Sequence, residues 1–224
     1  MVQRVNTGVR GLDENIEDGF PEGSVTLVTG GPGVGKTTFC LNFLNEGLEN
    51  DENCLYITTG QDSEELRLDA IEYDIDFDNH VKNLSIAYIN PSKGVEQEVI
   101  EYIKEEDFDR IVLDSISVFE MYWGQNSKIR KYLNRIVEHL KDLDTTAVVT
   151  SEMPESQSGK LSRFGVAEFV VDGVIKLQGY ALGDSQYRSL QVVKMRRTAI
   201  SGDILELTID ENGVSVSEGD KFTE

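Results

Sequence analysis

The sequence predicts an α/β fold: a mainly parallel central sheet flanked by helices, with antiparallel strands added towards the C-terminus. Three observations predict it. From Ser24 to Thr150, apolar strand-like runs alternate with helical periodicity, the pattern of units that build parallel sheets covered on both faces. From Phe169 onward, short strand-like runs follow one another around turn residues instead. Between the first strand and the first helix stands Gly30-Gly31-Pro32-Gly33-Val34-Gly35-Lys36-Thr37. This run fits G-x-x-x-x-G-K-[ST] at every fixed position, in the strand–loop–helix context that a phosphate-binding loop requires.

Each element follows from local pattern. Ser24 to Thr29 is the first strand, and the helix Lys36 to Glu49 puts Phe39, Cys40, Phe43, Leu44 and Leu48 on one face. Cys54 to Thr59 reads as the second strand. Asp62 and Glu65 have the spacing of a capping box, with Asp in the hydroxyl position, and open a helix through Leu66, Ala70 and Ile71. Leu84 to Ile89 is a strand, Val95 to Lys104 a helix, and Arg110 to Asp114 a buried strand that ends in a carboxylate. Ile129, Tyr132, Leu133, Ile136, Val137 and Leu140 trace one face of a long helix, followed by the strand Thr145 to Thr150. Val174 to Leu177 and Leu190 to Lys194 read as a hairpin around Gly183-Asp184. Ile204 to Ile209 and Val214 to Val216 flank Asn212-Gly213, a strong hairpin signal. These antiparallel strands are expected to extend one edge of the parallel sheet.

Composition sets the bounds. With 224 residues, 39% of them hydrophobic, the chain can bury one sizeable core, and one domain over residues 1–224 is the natural count. No linker, repeat or low-complexity segment marks a second one. No stretch approaches the roughly 18 apolar residues of a membrane helix, and the N-terminus has no apolar signal region. The expectation is a cytoplasmic protein without membrane insertion. Cys40 and Cys54 lie in apolar patterns and read as core packing, while His80 and His139 have no metal-binding constellation around them. The charge is unusual: 41 acidic against 21 basic side chains, a net of −20. Such a surface repels itself and DNA in ordinary salt. In molar salt, where the Debye length falls to about 3 Å, both objections weaken. An acidic, Lys-poor surface would suit a salt-loving organism.

The chemistry concentrates in two places. The loop Gly31, Pro32, Gly33, Val34 and Gly35 can surround phosphates with its backbone N–H groups, and the helix that begins at Lys36, Thr37 and Thr38 adds its positive end. Lys36 reaches the terminal phosphates, and the Thr37 hydroxyl can hold Mg²⁺. Asp114, at the end of its apolar strand, is the natural partner for Thr37 across that ion. Together they imply binding of a nucleoside triphosphate with Mg²⁺.

Further segments carry a family resemblance. Asn6 to Asp13 and Gly19 to Val28 resemble the opening of a KaiC-type domain of the RecA superfamily of P-loop ATPases, in its archaeal form. Arg163 to Ile175 is similar to that family's segment after the fourth core strand, and Lys194-Met195-Arg196 with Ile204 to Ile209 resembles its C-terminal strands. The resemblance implies a RecA-like fold, ATP as the nucleotide, and homo-oligomers, rings or filaments, with ATP lodged between neighbours. It also implies that Lys194 and Arg196, two apart on a strand and hence on one face, reach the γ-phosphate held by the next subunit. A His that often follows in the family is Ile200 here.

One departure bears on catalysis. The family's hydrolytic members carry two adjacent glutamates after the strand that follows the phosphate-loop helix. Those positions are Gly60 and Gln61 here. A glutamine can orient water but cannot take its proton, and general-base catalysis is worth about 10²–10⁴ in rate. Asp62 and Glu152 are the other candidates to direct water, Asp62 doubling as a helix cap and Glu152 standing where the family senses the terminal phosphate. The first reading is thus an ATP-binding assembly or signalling switch, with a protein partner, that hydrolyses slowly or not at all. The second is an active ATPase using Gln61, Asp62 or Glu152. The third is a recombinase-like accessory protein for single-stranded DNA, with Tyr122 and Trp123 in one DNA-facing loop and Lys160 and Arg163 in a second loop that begins at Glu155.

Overall fold

The computed structural model describes residues 2–90, 95–153, 159–182 and 185–219. Side chains alternate along its central strands between two apolar layers. Leu55, Ile57, Ile111, Leu113, Ala147 and Val149 enter one layer, whereas Cys54, Tyr56, Val112 and Val148 enter the other. A sheet apolar on both faces must be covered twice. On one face lie α1 (Lys36–Glu49) and α2 (Ser63–Ile71); on the other lie α3 (Val95–Ile103), α4 (Ile116–Trp123), α5 (Asn126–Asp142) and α6 (Ala167–Val170).

The strands in chain order are β1 (Arg4–Val5), β2 (Phe20–Pro21), β3 (Val25–Gly30), β4 (Cys54–Thr58), β5 (Leu84–Tyr88) and β6 (Arg110–Asp114). They continue with β7 (Thr146–Glu152), β8 (Gly173–Leu182), β9 (Ser185–Met195), β10 (Ile204–Asp210) and β11 (Gly213–Glu218). Nine of them form one sheet in the order β11-β10-β9-β8-β3-β7-β6-β4-β5. From β8 to β5 all pairs are parallel, and β9, β10 and β11 add antiparallel strands at one edge. This is the fold class the sequence predicts. Strands β1 and β2 make a separate small sheet.

The N-terminal motif is a clasp. A Cβ on Gly8 (φ +70°) would lie 2.2 Å from the Asn42 carbonyl oxygen, and one on Gly11 (φ +81°) 2.2 Å from that of Val216. Both positions therefore need glycine, and the segment lies flush against α1 and β11. The Asp13 carboxylate accepts the Thr7 hydroxyl at 2.7 Å, closing the turn. Arg110, at the start of β6, is the largest fully buried side chain among the described residues. It pairs with Glu52 at 2.5 Å, donates to the carbonyls of Asn6 at 2.7 Å and Phe43 at 2.9 Å, and stacks 4.8 Å over the Phe43 ring. One guanidinium thus joins the N-terminal segment, α1 and the sheet.

Several details differ from the sequence reading. Helix α4 is almost wholly apolar, so it carries no amphipathic period to read, and β1, β2 and α6 are too short to show one. The β8–β9 hairpin is longer than expected and pairs Leu182 with Ser185, while Gly183 and Asp184 lie outside the described residues. In the last hairpin Asp210 pairs with Gly213, so the turn falls on Glu211-Asn212 rather than on Asn212-Gly213.

Candidate functional site

Four parallel strands point their carboxyl ends at one edge, where open α/β sheets place ligands. Strand β3 feeds the phosphate loop, β4 leads into Gly60-Gln61, β6 ends in Asp114 and β7 in Glu152. Cβ atoms built on Gly31 and Gly33 would meet nothing within 4 Å, so the loop faces open space where phosphates would lie. Gly35 caps α1. Lys36 Nζ donates to the carbonyls of Gly30 at 3.1 Å and Gly31 at 2.7 Å. Burial pushes its pKa down, against the opposing pull of Asp114 and Glu152. A partly dehydrated ammonium that donates to two neutral carbonyls is a ready partner for phosphate oxygens.

The structure brings Thr37 and Asp114 together. Thr37 Oγ1 donates to Asp114 Oδ2 at 2.9 Å, which leaves the lone pairs of Thr37 for a cation. A hydroxyl beside a carboxylate is the oxygen chemistry that Mg²⁺ takes. Two further hydroxyls complete the carboxylate's shell: Tyr56 donates to Oδ2 at 2.8 Å and Thr150 to Oδ1 at 2.5 Å. The Asp114–Ser115 peptide is cis. On one side of the loop, Gly31, Pro32, Gly33 and Val34 face the β8–β9 hairpin across a cleft of ≈ 330 Å³. On the other, Thr37, Thr38 and Leu41 line a second cleft of ≈ 430 Å³ with an acidic rim that includes Asp69, Asp210 and Glu211.

The three water-directing candidates are all engaged. Asp62 caps α2, accepting the amides of Glu64 at 3.0 Å and Glu65 at 2.9 Å in a full capping box. Gln61 Nε2 donates to Asp69 Oδ2 at 2.7 Å, which draws the amide towards α2. Glu152 pairs with Arg163 at the half-exposed end of β7. At Gly60 nothing lies within 4 Å of a built Cβ.

Lys194 and Arg196 stand elsewhere. Lys194 is level with Val174, which is level with Leu27, three residues before the end of β3 and two strands away from it. Its ammonium donates to the carbonyls of Val171 at 2.6 Å and Glu168 at 3.1 Å, at the opposite end of the sheet from the phosphate loop. Arg196 lies past the end of β9, not on the strand, and pairs with Asp172 at 3.3 Å. Neither side chain reaches the phosphate loop of its own chain.

One other expectation needs correction. Tyr122 and Trp123 belong to α4 rather than to a loop, and Trp123 packs on Phe119 at 5.8 Å and Tyr132 at 5.2 Å between ring centroids. Glu155 falls outside the described residues; Lys160 is exposed, and Arg163 is committed to Glu152. The sequence reading missed Tyr56, Thr150 and Asp69. A tyrosine between Leu55 and Ile57 in an apolar strand is the available signal for the first.

A family model described as "ATPase: KaiC" matches residues 5–221. The chain belongs to the KaiC family of ATPases. The KaiC circadian clock oscillator protein of Synechococcus elongatus is 31% identical over 231 residues, covering 96% of this chain and 44% of that protein. KaiC 1 of Synechocystis sp. is 28% identical over 230 residues, with coverage of 96% and 44%. This KaiC-family chain therefore spans less than half the length of the curated relatives it matches. The crystal structure of a KaiC-like protein from the hyperthermophilic archaeon Pyrococcus horikoshii matches with a TM-score of 0.86 and 33% identity, over 97% of this chain and 100% of that one. The fold is RecA-like, as the resemblance implies, and membership of this ATPase family supports nucleotide binding. Among the described residues no helix is long and apolar enough to cross a membrane.

Proposed function

We propose that this chain binds Mg·ATP and uses the bound nucleotide to assemble with further copies of itself, hydrolysing it slowly. In this reading Gly31 to Thr38 hold the phosphates, Thr37 and Asp114 hold Mg²⁺, and the metal screens negative charge between the phosphates. The observation that carries the slow step is the Gly60-Gln61 pair. Gly60 offers no side chain, and the Gln61 amide is engaged by Asp69 at 2.7 Å. Tight binding without a placed base gives a long-lived nucleotide state, which is what a switch needs.

Assembly is supported by the position of Lys194 and Arg196. Cations that cannot reach their own nucleotide can meet that of a neighbour in a head-to-tail contact, which closes as a ring or continues as a filament. A protein partner would then read the assembled state. The active-ATPase reading keeps one support: Glu152 is level with Gly30, the residue that opens the phosphate loop, across the β3–β7 pair. The nucleic-acid reading loses Trp123 to internal packing and must contend with a net charge of −20.

Sedimentation with and without Mg·ATP, with phosphate release followed in the same samples, tests the proposal. The expected outcome is a nucleotide-dependent increase in size with little phosphate released. A monomer under every condition overturns the assembly role, and multiple turnovers per minute, abolished by Lys36→Ala, overturn the slow step.

A further inference from the structure

We infer that Tyr56 is a positioning residue for the Mg²⁺–nucleotide site: its buried phenol holds the Asp114 carboxylate in the orientation that meets Thr37. The inference rests on the nucleotide-binding reading above. Tyr56 stands in the middle of β4, beside Val112, with 0% of its surface exposed. From there its side chain extends towards the carboxyl end of the sheet and donates to Asp114 Oδ2 at 2.8 Å. A phenol buried this completely is costly unless it is paired, and Asp114 is the pair.

The arrangement has a consequence for the metal. Asp114 Oδ2 accepts from both Thr37 and Tyr56, while Oδ1 accepts from Thr150 on the opposite neighbouring strand β7. Donors from β4 and β7 thus grip the carboxylate from two sides and fix its plane. Thr37 then finds its acceptor in one place, and its oxygen turns its lone pairs outward in one direction. Without the Tyr56 hydroxyl, Oδ2 keeps Thr37 and Oδ1 keeps Thr150, so the carboxylate loses its β4 donor and is held less firmly about its last torsion. The metal would then meet a Thr37 oxygen that is less strictly oriented. Partners of this outer kind typically contribute about 10–100-fold to metal affinity.

Tyr56→Phe removes the hydroxyl and keeps the ring that fills the core. The experiment is calorimetric titration of ATP in EDTA, followed by titration of Mg²⁺ into the ATP-loaded protein, for wild type, Tyr56→Phe and Thr150→Val. The expected result for Tyr56→Phe is a fall in Mg²⁺ affinity of about 10–100-fold, with metal-free ATP binding changed by less than about threefold. Thr150→Val is expected to fall in the same sense, because it releases the other carboxylate oxygen. Mg²⁺ affinity unchanged in Tyr56→Phe overturns the inference. So does a parallel loss of metal-free ATP binding, which would mark Tyr56 as core packing alone. Wild-type protein that binds no ATP with or without Mg²⁺ would instead overturn the nucleotide reading itself.

Discussion

Replacing Gly60 and Gln61 together by glutamate is expected to accelerate ATP hydrolysis, and the structure allows the size of the effect to be worked out. Position 60 accepts a side chain freely, since nothing lies within 4 Å of its Cβ and its φ is not in the left-handed region. Position 61 changes more. Its amide now donates to Asp69, and a carboxylate has no proton to give. Two carboxylates about 4 Å apart repel by roughly 1 kcal/mol in water and 4 kcal/mol at the dielectric typical of a protein surface. The new side chain is thereby driven off Asp69 and freed towards the carboxyl ends of β3 and β6. A placed base contributes about 10²–10⁴ in rate, or roughly 2.7–5.4 kcal/mol of barrier. Steady-state phosphate release at saturating Mg·ATP reads this directly, with nucleotide affinity measured separately and Lys36→Ala in the same background as the blank. Unchanged turnover in a double variant that binds ATP and melts like wild type would refute the reasoning, because the absent carboxylates would then not limit the reaction.

Three further outcomes are expected. Arg196→Ala should reduce Mg·ATP-dependent assembly in sedimentation while barely moving the melting temperature of the free protein. The Arg196 side chain is 54% exposed, and its buried partner Asp172 keeps Lys141 and the Val25 amide, so the loss is expected to stay within about 1 kcal/mol. Arg110→Leu should destabilise the fold by about 3 kcal/mol, since Glu52 and two carbonyls lose a buried cation. Thermal unfolding would show this as a drop of roughly 6–12 °C. Finally, with a net charge of −20, the melting temperature should rise steeply from low to molar KCl as screening shortens to about 3 Å; a flat response would count against a salt-adapted surface.

What was legible in the sequence was local. Parallel strands covered on both faces read as continuous apolar runs, so Cys54 to Thr58 and Arg110 to Asp114 stood out. The phosphate loop could be read because its motif is contiguous, and Asp114 because a carboxylate ending an apolar strand is conspicuous. Tyr56 and Thr150 were not legible as parts of the site. They reach Asp114 across 58 and 36 residues of chain, through a strand order that periodicity does not reveal. The partners of Arg110 were hidden for the same reason: its strand read as buried, but the Asn6 carbonyl that the N-terminal segment folds over to supply lies 104 residues away in the chain. Trp123 misled for a different reason. An aromatic after the strand of Asp114 suggested a stacking loop, but an unrecognised apolar helix turns it onto Tyr132.

The resting partners of Lys194 and Arg196 bear on how a neighbour's nucleotide could recruit them. Asp172, only 5% exposed, accepts Arg196 at 3.3 Å, Lys141 at 2.7 Å and the Val25 amide at 3.2 Å. If Arg196 leaves, Lys141 and the amide remain, so no buried carboxylate is stranded without a partner. Lys194 has its pKa lowered first by burial and then by the Arg196 charge beside it. Moving either cation to a phosphate relieves that repulsion, and the carbonyls of Glu168 and Val171 that Lys194 leaves are neutral acceptors that water can take over. The resting bonds are therefore weak or replaceable, whereas a trans-acting cation on phosphate is worth about 10³–10⁵ in transfer rate where hydrolysis proceeds. Asp172 also bonds the first amide of β3, the strand that ends in the phosphate loop. In the proposed assembly, the cation offered to a neighbour and the phosphate loop of the same chain would share this one buried anchor, which would give successive sites a physical path along which to be coupled.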